Sequence, residues 1–183
     1  MKKLKNVLQK AYRAICSPEK QEAIVWDDLK ALNAEMEWRS GIYEKERYIE
    51  SNFKITDEAS ARFFFQIHDS HFSCHVSVIP NYPPELTTEI FILATHFNNL
   101  LRQGKVLINV EEESVDFEIK QEITLPLLYP GEIYIQIRRH QMIAKDIYEA
   151  FQRLVKEGEE PAIIIGDLLR QNREGGEDSQ GTA

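Results

Sequence analysis

The sequence predicts a single α+β domain in which a largely antiparallel sheet has its helices packed mainly on one face. Two observations carry this prediction. Apolar and polar side chains alternate through residues 61–67 and 72–79, which is the pattern of strands with one buried face. Residues 83–169 then show helix, two strands, helix and a short final helix, with apolar positions three or four apart in each helix. The predicted order of elements over residues 1–170 is α-β-β-β-α-β-β-α.

The composition is that of an ordinary globular protein and sets limits on function. The 183 residues are 43% hydrophobic and 28% charged, with a formal net charge of -8. That charge argues against a nucleic-acid partner, because phosphate binding needs a basic face. Cys16 and Cys74 allow at most one disulfide, which fits a reducing compartment. With no secretory signal and no stretch of membrane-spanning length, we expect a cytoplasmic location and no membrane partner.

Two helices are predicted in an N-terminal helical segment, residues 1–40. The first, at residues 2–15, carries its apolar side chains on one stripe. Ser17, Pro18 and Glu19 then mark the start of the second helix. They supply a hydroxyl cap, a proline in the first turn and an acid near the positive end of the helix dipole.

A three-stranded meander follows the helices. A weaker strand is predicted within residues 43–55, and two clear strands at residues 61–67 and 72–79 are joined by a turn at residues 68–71. Every second residue of the last strand is apolar, so one face of the sheet is expected to be buried and the other wet.

The remaining elements are two long helices that flank a hairpin. The central helix begins after Pro84 and is expected to end at Gly104, and the hairpin covers residues 105–123. The next helix starts after Gly131 and has a stripe of buried positions at three-four spacing. The stripe consists of Ile133, Ile137, His140, Ala144, Ile147, Phe151 and Leu154.

The C-terminal part of the chain is predicted to leave the domain. Pro161 opens a last short helix that is expected to end near residue 169. Residues 171–183 are rich in Gly, Glu and Ser, which predicts a disordered tail.

The second half of the chain resembles a known family. Residues 97–104 read FNNLLRQG, a helix end rich in asparagine before a glycine. They are followed by a strand, an acidic turn and a strand in KVLINVEEESVDF at residues 105–117, and by GEEPAII at residues 158–164. These runs and the order of elements resemble the YbjN and type III secretion chaperone-like family, mainly over residues 89–169. The resemblance implies a bacterial, non-enzymatic, homodimeric protein that binds other polypeptides or acts as a regulator.

The run from His68 to His75 is the strongest candidate for a metal site. It holds three histidines and Cys74 within eight residues. In a tight hairpin, however, His71 and His75 lie on one strand about 13 Å apart, at roughly 3.3 Å per residue, while Cys74 points to the other face. Zinc needs its ligands at about 2 Å, so we expect no metal site and no cofactor here.

Other ionisable residues give no catalytic pattern. His140 lies on the apolar stripe of the long helix, and a hydrogen-bonded core histidine is favoured over a catalytic base or a pH switch. The paired acids fall on turns and wet helix faces, whereas general acid–base catalysis needs a shielded carboxyl group. No catalytic residue is therefore assigned, and an enzyme is not expected.

The most useful functional signal is apolar residues that miss the stripe of their helix. Phe91 and Ile92 project away from the core line of the central helix, and Ile135 and Met142 lie opposite the stripe of the long helix. Two arginines flank that second face and could set its register. The candidate partner-binding residues are Phe91, Ile92, Ile135, Met142, Arg138 and Arg139.

Two explanations of these residues remain open. The N-terminal helices, through Leu4, Leu8 and Trp26, could cover them, or they form a dimer seam or a groove for a partner. The second explanation predicts a non-catalytic protein-binding module, chaperone-like or regulatory, that acts through an apolar surface as a homodimer or with another protein. The alternative is a small-molecule sensor domain with a pocket between sheet and helices. An enzyme would require His68 and the two histidines after it to converge.

Overall fold

The structure is a computed structural model and describes residues 11–124, 127 and 131–177, without the side chains of 171–177. Of the helix predicted at residues 2–15, residues 11–14 are helical, Ile15 is an exposed turn residue, and residues 2–10 lie outside the described residues.

Besides the helical residues 11–14, the described part of the chain forms four further helices and six strands, and we number these in chain order. The helices are α1 (Pro18–Glu35), α2 (Thr87–Leu100), α3 (Glu132–Glu157) and α4 (Pro161–Glu177), and a 3-10 turn at Pro84–Leu86 precedes α2. The strands are β1 (Ser40–Tyr43), β2 (Tyr48–Lys54), β3 (Ser60–His68), β4 (His71–Ile79), β5 (Lys105–Asn109) and β6 (Ser114–Glu122).

The six strands form one antiparallel sheet in the order β1-β2-β3-β4-β6-β5, which confirms the predicted α+β class. The predicted number of strands is wrong by one, because the strand predicted within residues 43–55 corresponds to β2, and β1 was not predicted. β1 has only four residues, and Ser40 and Gly41 resemble a helix stop. Its strand conformation depends on pairing with β2, in the register Ser40↔Ser51, which no local pattern encodes.

The turn between β3 and β4 lies where the sequence predicts it. His68 pairs with His71, and Asp69 and Ser70 between them have φ values of 50° and 58°. Two successive positive φ angles define the two-residue hairpin turn whose twist matches that of the strands, and Asp tolerates this conformation better than most residues.

The start of α1 differs in detail from the predicted cap. Ser17 is the N-cap residue and Pro18 follows it, but the Ser17 side chain makes no capping hydrogen bond. Instead, hydrogen bonds from the backbone of Glu19 itself and from Ser17 lower the pKa of the Glu19 carboxyl group. The Glu19 carboxylate, near the positive end of the helix dipole, therefore supplies part of the stabilisation expected from the Ser17 hydroxyl.

The chain divides into two compact units. Unit 1 comprises Met1–Ser77 and Phe117–Lys145, and unit 2 comprises Val78–Asp116 and Asp146–Ala183. The boundaries fall within β4, β6 and α3. The predicted single domain over residues 1–170 stays a prediction, as does the tail, whose residues 178–183 lie outside the described residues. α4 runs to Glu177, beyond the predicted helix end near residue 169.

Unit 1 buries the inward-facing side chains of its strands. Ile49, Phe63 and Phe65 have no exposed surface, while the side chains between Phe63 and the end of β3 alternate in burial. Trp38, after α1, packs edge-on against Phe53 at 5.0 Å between ring centroids and lies 5.8 Å from Phe65. Each buried aromatic or aliphatic side chain stabilises the folded state by about 1.5–3 kcal/mol relative to exposure.

Unit 2 is built around α2 and the second half of α3. Phe97 stacks on Phe151 at 6.0 Å between centroids. Asn98 accepts a 2.7 Å hydrogen bond from the backbone N–H of Val106 and donates a 3.0 Å bond to its carbonyl, which explains an asparagine before the hairpin. Gly104 does not end the helix as predicted, because α2 stops at Leu100. Its φ of 83° instead turns the chain into β5.

The stripe predicted for the long helix is confirmed at every position. All seven residues, from Ile133 to Leu154, are at most 4% exposed. His140 is fully buried, as predicted for a core histidine, and its Nε2 lies 3.3 Å from the carbonyl oxygen of Phe117. Its ring stacks on the Phe117 ring at 4.8 Å and meets Phe63 edge-on at 5.6 Å. Burial among these rings lowers the pKa of His140 to about 3.

We predict that His140 makes the folded state sensitive to acid. Between pH 6.5 and about 3 the unfolded chain binds a proton at His140 and the folded chain does not. The free energy of unfolding therefore falls as the pH is lowered through that range, by at most about 1.4 kcal/mol per pH unit from this residue. In urea denaturation at pH 7.5, 6 and 5, the stability advantage of the parent over His140→Gln should shrink at each step.

Val76→Ala provides the control, since it removes buried apolar surface but no titratable group, and its stability difference from the parent should not change with pH. A stability difference between the parent and His140→Gln that stays constant with pH would show that His140 is protonated equally in both states.

Candidate partner-binding surfaces

Phe91 and Ile92 are half-exposed on a helix whose other face is fully buried. Their exposed fractions are 46% and 50%, whereas Ile90 and Leu93 on either side are at 0%. Because successive helical residues are rotated by about 100°, a core line through Ile90, Leu93 and Phe97 leaves both side chains facing away. We call Phe91 and Ile92 the α2 patch.

A groove in unit 2 runs beside this patch. One wall is formed by Leu86, Glu89 and Ile92, and the other by Leu154 and residues 158–162 at the corner between α3 and α4. Its volume is about 510 Å³. The groove and the α2 patch therefore share Ile92.

An ion-pair network fixes the corner that forms the second wall. Arg153 donates hydrogen bonds of 2.6 Å to Glu159 Oε2 and 2.6 Å to Asp167 Oδ2. These bonds raise the pKa of Arg153 and lower those of Glu159 and Asp167. Gly158, with a φ of 68°, allows the chain to turn there without strain. Arg153, near the end of α3, is thus bonded both to Glu159 in the turn and to Asp167 in α4.

Glu89, on the first wall, is left without a partner at one oxygen. Its Oε2 atom is buried and makes no hydrogen bond within the described residues. A buried carboxylate oxygen without a donor is unfavourable, because it has lost its water.

A second apolar surface lies on α3 in unit 1. Ile135 is 49% exposed and Met142 is 65% exposed, on the face opposite the buried stripe. Arg138, between them, donates a 3.1 Å hydrogen bond to Gln141 Oε1, and Arg139 is also exposed. We call Ile135, Arg138, Arg139 and Met142 the α3 patch.

Trp26, one of the residues considered as a cover for the patches, contacts other side chains in unit 1. Its indole N–H donates a 2.9 Å hydrogen bond to Glu44, and Lys30 lies 5.4 Å from the ring centroid. Leu4 and Leu8, the other residues that could cover the patches, lie outside the described residues. The partner-binding assignment of the two patches stays a prediction.

The structure does not bring the histidine cluster together. His68 Nε2 lies 3.1 Å from Asp69 Oδ2, and His71 Nδ1 lies 2.6 Å from the Asp69 carbonyl. His75 packs instead against Phe64, at 5.5 Å between centroids. Cys74 is buried on the other face, where burial raises the pKa of its thiol. Within the described ranges, no three His, Cys, Asp or Glu side chains are placed to hold a metal ion.

An aromatic row on the outer face of the unit 1 sheet was missed by the sequence reasoning. Tyr43, Tyr48, Phe64 and His75, one from each of β1 to β4, follow one another at centroid distances of 5.0, 5.7 and 5.5 Å. Burial and the nearby Glu50 raise the pKa of Tyr48 to about 12. The three successive phenylalanines at 63–65 indicate such a row, because side chains in a strand alternate between faces and the middle phenylalanine must point outward.

No protein family model matches the sequence, and no curated protein matches it. Among solved structures, YbjN from E. coli, a candidate transcription regulator, matches with a TM-score of 0.53 at 9% identity over 71% of this chain and 93% of that one. The ExsC–ExsE complex matches with a TM-score of 0.47 at 13% identity over 75% of this chain and 94% of that one. The chain has a YbjN-like fold, which confirms the predicted resemblance at the level of the fold.

Within the described residues, no helix combines the length and the apolar character that a membrane crossing requires.

We predict that the α2 patch contributes little to stability. Phe91→Gln and Ile92→Gln should each change the free energy of unfolding by less than about 0.5–1 kcal/mol, because the side chains are half in water. Ile90→Ala, one residue away, should cost about 2–5 kcal/mol by leaving a cavity. Urea denaturation of the three variants checks this. A loss of several kcal/mol in Phe91→Gln would show that the chain itself covers the patch.

Proposed function

We propose that the protein is a non-catalytic protein-binding module, chaperone-like or regulatory, that acts through the α2 and α3 patches. The observation that carries this proposal is the pair Phe91 and Ile92, two large apolar side chains half-exposed on a helix that already buries a complete core stripe. Stability does not require them there, so contact with another polypeptide is their best explanation. The YbjN-like fold supports the proposal, since YbjN is a candidate transcription regulator.

The mechanism is burial of apolar partner segments against preformed helix faces. Removing apolar surface from water yields about 25 cal/mol per Å², so a few half-exposed side chains supply a useful share of an affinity. The net charge of -8 opposes nonspecific association, because like-charged proteins repel one another. Specificity would then come from the residues around each patch.

For the α3 patch we propose self-association into a homodimer in the cytoplasm. In a two-fold interface the same patch meets its own copy, so Ile135 and Met142, seven residues apart on α3, would pack against their counterparts. Arg138 and Arg139 flank the seam and would fix its register through acids on the other copy. We propose no cofactor for either surface.

A small-molecule sensor is the second candidate function, and one observation favours it. In unit 1 three buried atoms make no hydrogen bond within the described residues: Ser51 Oγ, Gln136 Oε1 and His140 Nδ1. Ser51 pairs in register with Phe63, whose ring contacts His140, and Gln136 lies one helical turn before His140. A small ligand that donates hydrogen bonds would satisfy these atoms. The folded, purified chain would then carry extra mass in native mass spectrometry.

Site-specific photo-crosslinking in cells tests the protein-binding proposal. We predict that a photoreactive amino acid at position 92 or 142 gives discrete crosslinked products, because both positions lie in the proposed protein-binding surfaces. The same group at Glu112 in unit 2 or Glu58 in unit 1, which are exposed and polar, should give several-fold less product. A product at twice the mass of the chain from position 142 identifies the homodimer.

Equal yields at the patch and control positions would contradict the proposal. Products from position 92 only would keep the protein-binding function and remove the homodimer.

A further inference from the structure

The groove beside the α2 patch is lined by aliphatic and acidic side chains. Leu86, Ile92, Leu154 and Ala162 supply aliphatic surface from both walls. The charged side chains among the nine lining residues, all within the described part of the chain, are Glu89, Glu159 and Glu160, and no lining residue is cationic. An apolar segment would fit between the walls, and a negatively charged one would be repelled.

The three acids are not equivalent. Glu159 is paired with Arg153 through hydrogen bonds of 3.2 and 2.6 Å, so its charge is balanced by its own unit. Glu160 is exposed at the corner. Glu89 faces the groove with Oε2 buried and without a partner within the described residues. Glu89 and Glu160 therefore leave acidic charge in the groove that no lining residue balances, and a cation on the partner is complementary to it.

We propose that this groove binds a partner segment in which an apolar side chain is adjacent to a lysine or arginine. The apolar side chain enters between Ile92 and Leu154, and the cation donates to Glu89. A hydrogen bond to a charged partner is stronger than a neutral one, and burial of both groups from water strengthens it further. This inference rests on the proposed protein-binding function and names the chemistry of the partner.

Other occupants fit these residues less well. A wholly apolar segment would bury Glu89 more deeply and leave its oxygen unpaired, which costs affinity. An acidic or phosphorylated segment would meet two unneutralised carboxylates. A second copy of the chain carries 30 acidic and 22 basic residues, so its net charge of -8 would oppose association with the acidic lining.

Binding of a defined peptide tests the inference. The probe is a dye-labelled synthetic peptide of about 12 residues with leucine at every fourth position and lysine between, and its affinity is measured by fluorescence anisotropy. One comparison peptide replaces lysine with glutamate, and a second replaces leucine with glycine. The protein variants are Glu89→Gln, Ile92→Gln and, as a control with the same charge change on an exposed turn, Glu112→Gln. Circular dichroism checks that each variant is folded.

We expect the lysine–leucine peptide to bind the parent and both comparison peptides to bind at least about tenfold more weakly. Glu89→Gln and Ile92→Gln should each weaken binding about tenfold, while Glu112→Gln should leave it within about twofold. Equal binding of the glutamate peptide, or equal losses in Glu89→Gln and Glu112→Gln, would overturn the inference, since the acidic surface as a whole would then explain the attraction.

Failure of this inference can be distinguished from failure of the proposed protein-binding function. If no peptide binds but crosslinks form at position 92, the inference fails and the protein-binding function stands. Self-association that is weakened by Glu89→Gln, with no peptide binding, would assign the groove to a second copy and also overturn the inference.

Discussion

Burial of one stripe of α3 is the constraint on which the rest of the structure depends. In unit 1 the stripe brings His140 between the rings of Phe63 and Phe117, and in unit 2 it brings Phe151 against Phe97. A helix that commits one face to a core places the opposite face in water. Residues opposite the stripe are therefore expected to be mainly polar, and paired large apolar side chains there need an explanation.

Ile135 and Met142 do not follow that rule, and neither do Phe91 and Ile92 on α2. Exposed apolar residues are common when they are isolated. These occur in pairs on the solvent faces of helices whose cores are complete, and Ile92 also lines a groove with an unpaired carboxylate oxygen beside it. The combination of apolar surface and a missing hydrogen-bond donor is what separates the α2 surface from ordinary exposed side chains.

Periodicity alone was sufficient to predict the long strands and the helices α2 and α3, whereas α4 extends beyond its predicted end near residue 169. The seven-residue stripe of α3, the alternation in β4 and the helix of the α2 patch all follow from local spacing, and so did the identity of the off-stripe residues. Local pattern could not reveal β1, because its strand conformation depends on pairing with β2. It could not reveal the groove either, since its two walls are about 60 residues apart in the sequence and meet only after folding.

The aromatic row was predictable only in part, because the sequence indicates one of its members but not the neighbours of that residue. Phe64 lies between Phe63 and Phe65, and a strand cannot bury all three side chains on one face. Its neighbours in the row come from other strands, so register was needed to see Tyr48 and His75 beside it. Side-chain chemistry that depends on register or on long-range contacts is beyond single-sequence pattern reading.

The most direct test of the central claim is hydroxyl-radical footprinting of the protein inside cells, compared with the purified protein at high dilution. If polypeptide covers the two patches, Phe91 and Met142 should be oxidised several-fold less in cells than in dilution. Met36, 44% exposed and outside both patches, should react equally in the two conditions and provides the internal control. Equal oxidation of Met142 and Phe91 in cells and in dilution would show that nothing covers these surfaces, and would contradict the account.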